Sequence, residues 1–169
     1  MSPQRESAIG DVVNIDQARR PVVVVGIDGS ELSESALRRS LPVVELVGAE
    51  LVIVFVRELP SLAVSRFSAD ALAALSNTLD ELEASCEAEV EKILATSSIR
   101  WRFLVRDGEP AHEILEVAHE EGASCIIIGA TIHGAVSSLV LSSVAAHLLH
   151  HSDVTVVIVR PDRPAHPPA

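Results

Sequence analysis

Short apolar segments alternate along this chain with longer segments in which apolar residues recur every three or four positions. A short, nearly continuous β-branched run is typical of a strand that is buried on both faces of a parallel sheet. Recurrence at helical spacing is typical of a helix with one buried stripe. The predicted strands are Pro21–Asp28, Glu50–Val56, Ile99–Arg106, Ser124–Gly129 and Val154–Val159. The third alternates apolar and polar residues, which indicates a half-exposed strand near a sheet edge.

Serine, glycine and proline mark the ends of the helical segments. Ser30 and Ser33 are alternative N-cap residues for the first helix, and Ser68 is the candidate for the second. The predicted helices run from Ser30 or Ser33 to Gly48, from Ser68 to Ala95, from Pro110 to Glu121 and from Val144 to His151. In the second helix we predict one apolar stripe, formed by Leu72, Leu75, Leu79, Leu82, Cys86, Val90 and Ile93. Its acidic run from Asp80 to Glu91 is interpreted as a solvated face.

The alternation of strands and helices predicts an α/β fold. Parallel strands joined by right-handed helical crossovers place helices on both faces of one sheet. The domain is expected to span residues 21–160, between an N-terminal tail (1–20) and a proline-rich C-terminal tail (161–169). The tails are interpreted as solubilising ends, with docking segments as the alternative. Strand order does not follow from the pattern.

Composition and charge exclude several partners. A net charge of −11 has the wrong sign for a nucleic-acid surface, and an aromatic content of 2% offers no stacking platform. No apolar run approaches the roughly 18 residues that span a bilayer, and residues 1–20 lack a signal-peptide core. We therefore expect no nucleic acid, no membrane and a cytoplasmic location.

One candidate ligand site follows the fourth predicted strand. The apolar run Cys125–Ile128 opens through Gly129 into a loop and then into the last helix. Ligands of open α/β sheets bind outside the carboxyl ends of the strands. Backbone N–H groups in such a loop and at a helix N-terminus suit phosphate oxygens.

Three segments carry a resemblance to a known family. They are Val-Gly-Ile-Asp-Gly-Ser-Glu (25–31), Arg-Asp-Gly-Glu-Pro-Ala (106–111) and the segment from Ile126 to Pro161. In this order they resemble the universal stress protein family. The resemblance implies a single Rossmann-like (adenine nucleotide α-hydrolase-like) domain with a five-stranded parallel sheet of order 3-2-1-4-5. It also implies a homodimer that pairs strand Val154–Val159 across a two-fold axis.

The resemblance also implies where a nucleotide would bind. Family members that bind ATP carry G-x-x-G-x(9)-G-[S/T] after the fourth strand, and an aspartate after the first strand contacts adenine or ribose. Here Ile132 and Ser142 replace the second and third glycines, and the basic residues common in that loop are missing. Val54 or Phe55 would be the contact from the second strand, and His133 is a candidate phosphate contact. The implied adenine-nucleotide site is Asp28, Val54, Gly129, Ser142 and Ser143, with His133 beside it.

The two glycine replacements bear on ATP affinity. Ile132 is poorly suited to a positive φ and to close approach of a ligand. Two lost hydrogen bonds to phosphate would remove about 3–6 kcal/mol and turn a micromolar site into a millimolar one. We therefore rank a non-enzymatic dimeric regulator with weak or no ATP binding first. A protein that binds ATP, AMP or cAMP in this cleft is the alternative, and a weak nucleotide hydrolase is the second alternative.

Other candidate residues favour structural roles. His147, His150 and His151 are spaced to share a helix face, but neither a carboxylate nor a cysteine accompanies them closely as a metal ligand would. Cys86 and Cys125 are interpreted as reduced, buried thiols. Ser30 with Asp28 lacks the surrounding pattern of a hydrolase nucleophile. No metal site and no catalytic residue are predicted.

Overall fold

The computed structural model describes residues 20–58, 68–130 and 142–160. Strands and helices alternate along them as the sequence pattern predicts. The elements are β1 (Val22–Ile27), α1 (Glu31–Val47), β2 (Glu50–Arg57), α2 (Ala69–Leu94), β3 (Trp101–Asp107), α3 (Pro110–Glu120), β4 (Cys125–Gly129), α4 (Ser143–His151) and β5 (Thr155–Val159).

All five strands lie in one parallel sheet of order β3-β2-β1-β4-β5. β1 is central: Val25 pairs with Ile53 of β2 on one side and with Ile127 of β4 on the other. The chain leaves β1 toward β2 and later returns to its other side as β4. The predicted α/β class and the strand order implied by the family resemblance are both confirmed.

Successive residues of the central strands point into two separate cores, one on each face of the sheet. On one face, Val23, Val25 and Ile27 pack with residues of α1 and α2. On the other face, Val24 packs with residues of α3 and α4. Both faces are apolar, which explains why the sequence of these strands is a continuous apolar run.

Side-chain caps begin the helices. Ser30, rather than Ser33, caps α1, because its side chain accepts a hydrogen bond from the Ser33 N–H. Ser68 caps α2 as predicted, and Ser142 caps α4. Glu109 caps α3 through hydrogen bonds from the N–H groups of Ala111 and His112, a role that the sequence pattern did not reveal.

The predicted apolar stripe of α2 is buried toward the end of the helix and half-buried at its start, and the prediction was wrong only for Leu82. Cys86, Val90 and Ile93 are buried, whereas Leu82 is 40% exposed. With 26 residues α2 is about 39 Å long, and a strand of seven residues is about 23 Å long. The first turns of α2 therefore extend past the carboxyl edge of the sheet.

The acidic run of α2 is not simply solvated. Arg57, at the end of β2, lies 3.2 Å from Asp80 and 3.5 Å from Glu83, and also contacts Asp107. Farther along the helix, Glu89 lies 2.7 Å from an Arg38 guanidinium nitrogen. These carboxylates fasten α2 to the sheet and to α1, so the interpretation of a purely solvated face needed correction.

The two edge strands differ from the central ones. β3 is half-exposed at one edge, as its alternating sequence predicted. β5 forms the other edge, and its Thr155 and Val157 are exposed. No helix within the described residues is long and apolar enough to cross a bilayer.

Candidate functional site

A cavity of about 380 Å³ opens at the carboxyl edge of the sheet, where β1 lies between β2 and β4. This is the position at which the strand order reverses, and ligands of open α/β sheets bind there. Its size falls in the range of small-molecule sites. The described lining residues are Gly26, Ile27, Asp28, Ser30, Leu32, Ser33, Val54, Val56, Pro110, Ile114, Ile128, Gly129, Ser142 and Val144.

One end of the cavity is built by the turn between β1 and α1. The Asp28 carboxylate accepts two hydrogen bonds on Oδ1: one from the Ser30 hydroxyl at 2.6 Å and one from the Ser30 N–H at 3.0 Å. The Ser33 hydroxyl accepts from the Asp28 N–H and donates to the Ser30 carbonyl. The hydrogen bonds from the described residues use Oδ1, so Oδ2 can accept a hydrogen bond from a ligand hydroxyl or amino group.

The turn itself requires glycine at position 29. Gly29 has a φ of 79°, and a Cβ there would lie 2.9 Å from the Cys86 sulfur. A side chain would therefore be strained by its backbone and would also collide with α2. Gly29 thus fixes the position of Asp28 without touching a ligand.

Asp28 remains ionised at neutral pH. Desolvation by the cavity walls acts to raise the pKa of this carboxyl, but the hydrogen bonds from Ser30 and Ser33 outweigh it, and the net pKa lies below its usual value. A permanent negative charge therefore lies at this end of the cavity.

Gly129, at the end of the neighbouring strand β4, is fixed by packing. A Cβ at this position would lie 2.6 Å from the Leu32 carbonyl oxygen, inside contact distance of the α1 backbone. The close approach of β4 to α1 is enough to require glycine here. Gly129 is therefore weaker support for a phosphate site than the sequence pattern alone implied.

The N-terminus of α4 forms the wall beside Gly129. The Ser142 hydroxyl accepts the Ala145 N–H at 3.3 Å, and its own hydrogen can still donate to a ligand. The N–H groups of Ser143 and Val144 precede the first helical hydrogen bond, so the helix itself offers them no acceptor. These donors can hydrogen-bond an anion or a polar oxygen.

The charge of the lining is uneven. Among the described lining residues, Asp28 is the only one with a charged side chain. The adjoining residues 131–141 contain His133 but neither Lys nor Arg. A polyphosphate here would thus meet helix N–H groups and one carboxylate, with no permanent cation from these residues.

The structure brings together four of the six predicted site residues. Asp28, Val54, Gly129 and Ser142 all line the cavity. Ser143 is the first residue of α4 and is exposed, outside the set of lining residues. His133 and Ile132 lie outside the described residues.

Between the two candidates on β2, the alternation of the strand decides. Val54 faces the cavity, whereas Phe55 is buried in the core on the other face of the sheet. The apolar wall formed by Val56, Pro110 and Ile114 was missed by sequence reasoning. Their apolar side chains look like ordinary core residues in the sequence, and only the packing of α3 beside β2 reveals them as lining.

Two of the histidines of α4 that were predicted to share a helix face lie close together. The rings of His147 and His151 lie 4.5 Å apart. In the described part of the chain, no group of three or more His, Cys, Asp or Glu side chains is placed to hold a metal. Cys86 is buried, as predicted, and burial raises the pKa of its thiol to about 11, whereas Cys125 is only half-buried.

One ionic contact was not foreseen from the sequence. His119 Nε2, on α3, lies 2.7 Å from Asp153 Oδ1, in the connection between α4 and β5. The hydrogen bond with Asp153 raises the pKa of His119 above its ordinary value. The pair is exposed and lies away from the cavity lining.

The sheet order and a cleft at its reversal point define the class of protein as a Rossmann-like α/β domain. The model of the universal stress protein family matches residues 20–160, and this chain belongs to that family. The universal stress protein YxiE of Bacillus subtilis is 30% identical over 145 residues, which cover 82% of this chain and 97% of that protein.

More distant similarities agree with this fold. The universal stress protein MJ0531 of Methanocaldococcus jannaschii is 24% identical, over 82% of this chain and 81% of that protein. The structure of UspA from Lactobacillus plantarum superposes with a TM-score of 0.67 at 19% identity, covering 85% of this chain and 99% of that one. A universal stress protein solved in complex with cAMP has a TM-score of 0.58 at 21% identity, covering 85% and 98%.

Proposed function

We propose that this chain is a non-enzymatic, dimeric regulator of the universal stress protein family whose cleft binds ATP weakly or not at all. The uneven charge of the cavity carries the proposal. The one charged side chain of the described lining is the ionised Asp28, and that lining supplies no cation to a triphosphate. A net negative cleft without a compensating charge lowers ATP affinity.

The use of the polar groups of the cleft supports the proposal that the protein is not an enzyme. The Ser30 hydroxyl donates to Asp28 and accepts from the Ser33 N–H, so it is committed to the turn and to the helix cap. The described lining contains no His, Lys or Cys that could serve as a general base or nucleophile. A weak hydrolase is therefore a lesser alternative, and ATP turnover that is lost in Asp28→Ala would establish it.

The proposed regulator acts through contacts between subunits and with a protein partner that has not been identified. The open edge of β5 (Thr155–Val159), with Val157 41% exposed, supports a homodimer in which two copies pair this strand. Light scattering over a range of protein concentrations tests the dimer. A monomer at high micromolar concentration would refute it.

An adenine nucleotide with fewer phosphates, such as AMP or cAMP, is the second candidate for the cleft. Asp28 Oδ2 can accept from a ribose hydroxyl or an adenine amino group, and the donors at the start of α4 can serve a single phosphate. A structural relative was solved in complex with cAMP, which supports this candidate. Its ligand carries one phosphate charge, so repulsion from Asp28 is smaller than for ATP.

Calorimetric titration with ATP, AMP and cAMP tests the proposal. We expect dissociation constants on the order of 1 mM or weaker for ATP. Micromolar ATP affinity would refute the main proposal, whereas micromolar affinity for AMP or cAMP alone would establish the second candidate. Asp28→Asn is the matched variant, because it removes the charge and keeps the shape of the side chain.

A further inference from the structure

An exposed apolar surface lies far from the cleft, on the last two turns of α1. Val43 is 62% exposed, Leu46 is 85% exposed and Val47 is 52% exposed. Their spacing of three and four residues places them side by side on one face of the helix. We call these three residues the α1 ledge. Three adjacent aliphatic side chains on an otherwise polar helix surface indicate that something covers them.

The position of the α1 ledge identifies where a covering segment must come from. α1 runs antiparallel to β1, so its last turns lie at the amino edge of the sheet. Three residues after Val47, the Glu50 N–H donates to the Pro21 carbonyl at 2.9 Å. The chain that precedes β1 therefore leaves the fold at the amino edge, close to the end of α1.

Topology leaves only one candidate among the segments outside the described residues. Residues 59–67 follow β2, residues 131–141 follow β4 and residues 161–169 follow β5, so all three leave from the carboxyl edge. Residues 1–19 precede β1, so they are the one of these four segments that joins the described fold at its amino edge. They also contain aliphatic residues, Ile9, Val12, Val13 and Ile15, whereas residues 161–169 contain none larger than alanine and proline.

We propose that the segment Ile9–Ile15 of this chain packs its aliphatic side chains on the α1 ledge. The reach is sufficient, because the six residues from Ile15 to Pro21 span up to about 20 Å when extended. A second copy is the less favoured occupant. Three aliphatic side chains offer far less than the roughly 800 Å² per partner that a stable interface buries.

Hydrogen exchange of the full chain tests this proposal. In Val12→Asp/Val13→Asp we expect the amides of residues 43–49 to exchange about tenfold faster than in the unaltered chain, because the last turns of α1 lose their cover. The matched control, Ser2→Asp/Gln4→Asp, adds the same charge within residues 1–19 but outside Ile9–Ile15, and should leave exchange unchanged. The end of α2, at the same edge of the sheet, should also be unaffected.

Three outcomes would overturn the proposal. Equal exchange in the valine variant and in the unaltered chain would show that the segment does not cover the ledge. An equal effect of the control would show that added charge alone is responsible. An effect that disappears on dilution would assign the ledge to a second copy.

A thermal-stability cycle gives a second, independent measurement. Leu46→Gln should lower the melting temperature by about 3 °C in the unaltered chain, since it places a polar amide under the segment. The same substitution should change the melting temperature by less than about 1 °C in Val12→Asp/Val13→Asp, because the position is then open to water. Equal shifts in both backgrounds would contradict the proposal.

Discussion

Two parts of the cleft, the β1–α1 turn and the start of α4, are held in place by different interactions. At the β1–α1 turn, Asp28, Ser30 and Ser33 satisfy one another in a network that leaves a charged oxygen facing the cavity. At the start of α4, Gly129 is held by contact with the Leu32 carbonyl, and the polar groups are a serine cap and helix N–H donors. The β1–α1 turn supplies a specific charged group, whereas the start of α4 supplies helix N–H donors without a permanent cation.

This difference shows that a glycine that matches a family's loop pattern need not be there to bind a ligand. Gly129 matches the nucleotide-loop pattern of the family, yet packing alone requires it. Asp28 is different. The hydrogen bonds of the turn use its Oδ1, so Oδ2 can contact a ligand. Substitutions at Gly129, at the two serine caps and at Asp28 separate stability from ligand binding.

The largest effect is expected for Gly129→Ala. The added Cβ would lie 2.6 Å from a backbone oxygen that cannot move without shifting α1. We expect the free energy of unfolding in urea to fall by about 2–3 kcal/mol. Gly122→Ala is the control: a Cβ there meets nothing within 4 Å, and its φ of 60° costs about 1 kcal/mol. A smaller loss at Gly129 than at Gly122 would show that packing does not fix Gly129.

A smaller effect is expected from removing the two serine caps. Ser30→Ala should cost about 1–2 kcal/mol, because it removes both a helix cap and the hydrogen bond to Asp28. Ser142→Ala removes a cap of similar geometry but no second hydrogen bond to a described residue, and about 0.5–1 kcal/mol is expected. Thermal or urea unfolding compares the pair. Equal losses would mean that the Asp28 network adds no stability.

The smallest effect is the pH dependence of Asp28. Its folded-state pKa is lowered, so the stability it contributes is present above the unfolded pKa of about 3.9 and is lost as pH falls through the folded value. Because the carboxylate is solvent-accessible, we expect the free energy of unfolding of the unaltered chain to exceed that of Asp28→Asn by less than about 1 kcal/mol at pH 6. The difference should shrink below pH 4. A difference that grows with acid would contradict the assigned direction.

Apolar patterning predicted the fold well for physical reasons that are visible in β1 and β2. Strands buried on two faces have almost no polar positions, so a continuous apolar run identifies them. Serine or glycine marks the ends of most helices. The burial of Cys86, Val90 and Ile93 in the α2 stripe was predicted correctly. The exposure of Leu82 was not, because how far a long helix extends beyond short strands depends on lengths in three dimensions.

The cleft was predicted less completely. Asp28, Val54, Gly129 and Ser142 were found through their place after strands or through the family pattern. Pro110 and Ile114 were missed, since an apolar wall carries no signal that separates it from core. The choice between Val54 and Phe55 became clear only when the two faces of β2 were assigned to the cavity and to the core.

The ratio of adenosine affinity to ATP affinity, measured by calorimetry on the unaltered chain, tests the central claim most directly. If no permanent cation offsets the charge of Asp28, the N–H donors at the start of α4 give a triphosphate no net advantage, and ATP should bind no tighter than adenosine. Raising the salt concentration should then not weaken ATP binding further. ATP binding a hundredfold tighter than adenosine, with affinity falling as salt rises, would contradict the account.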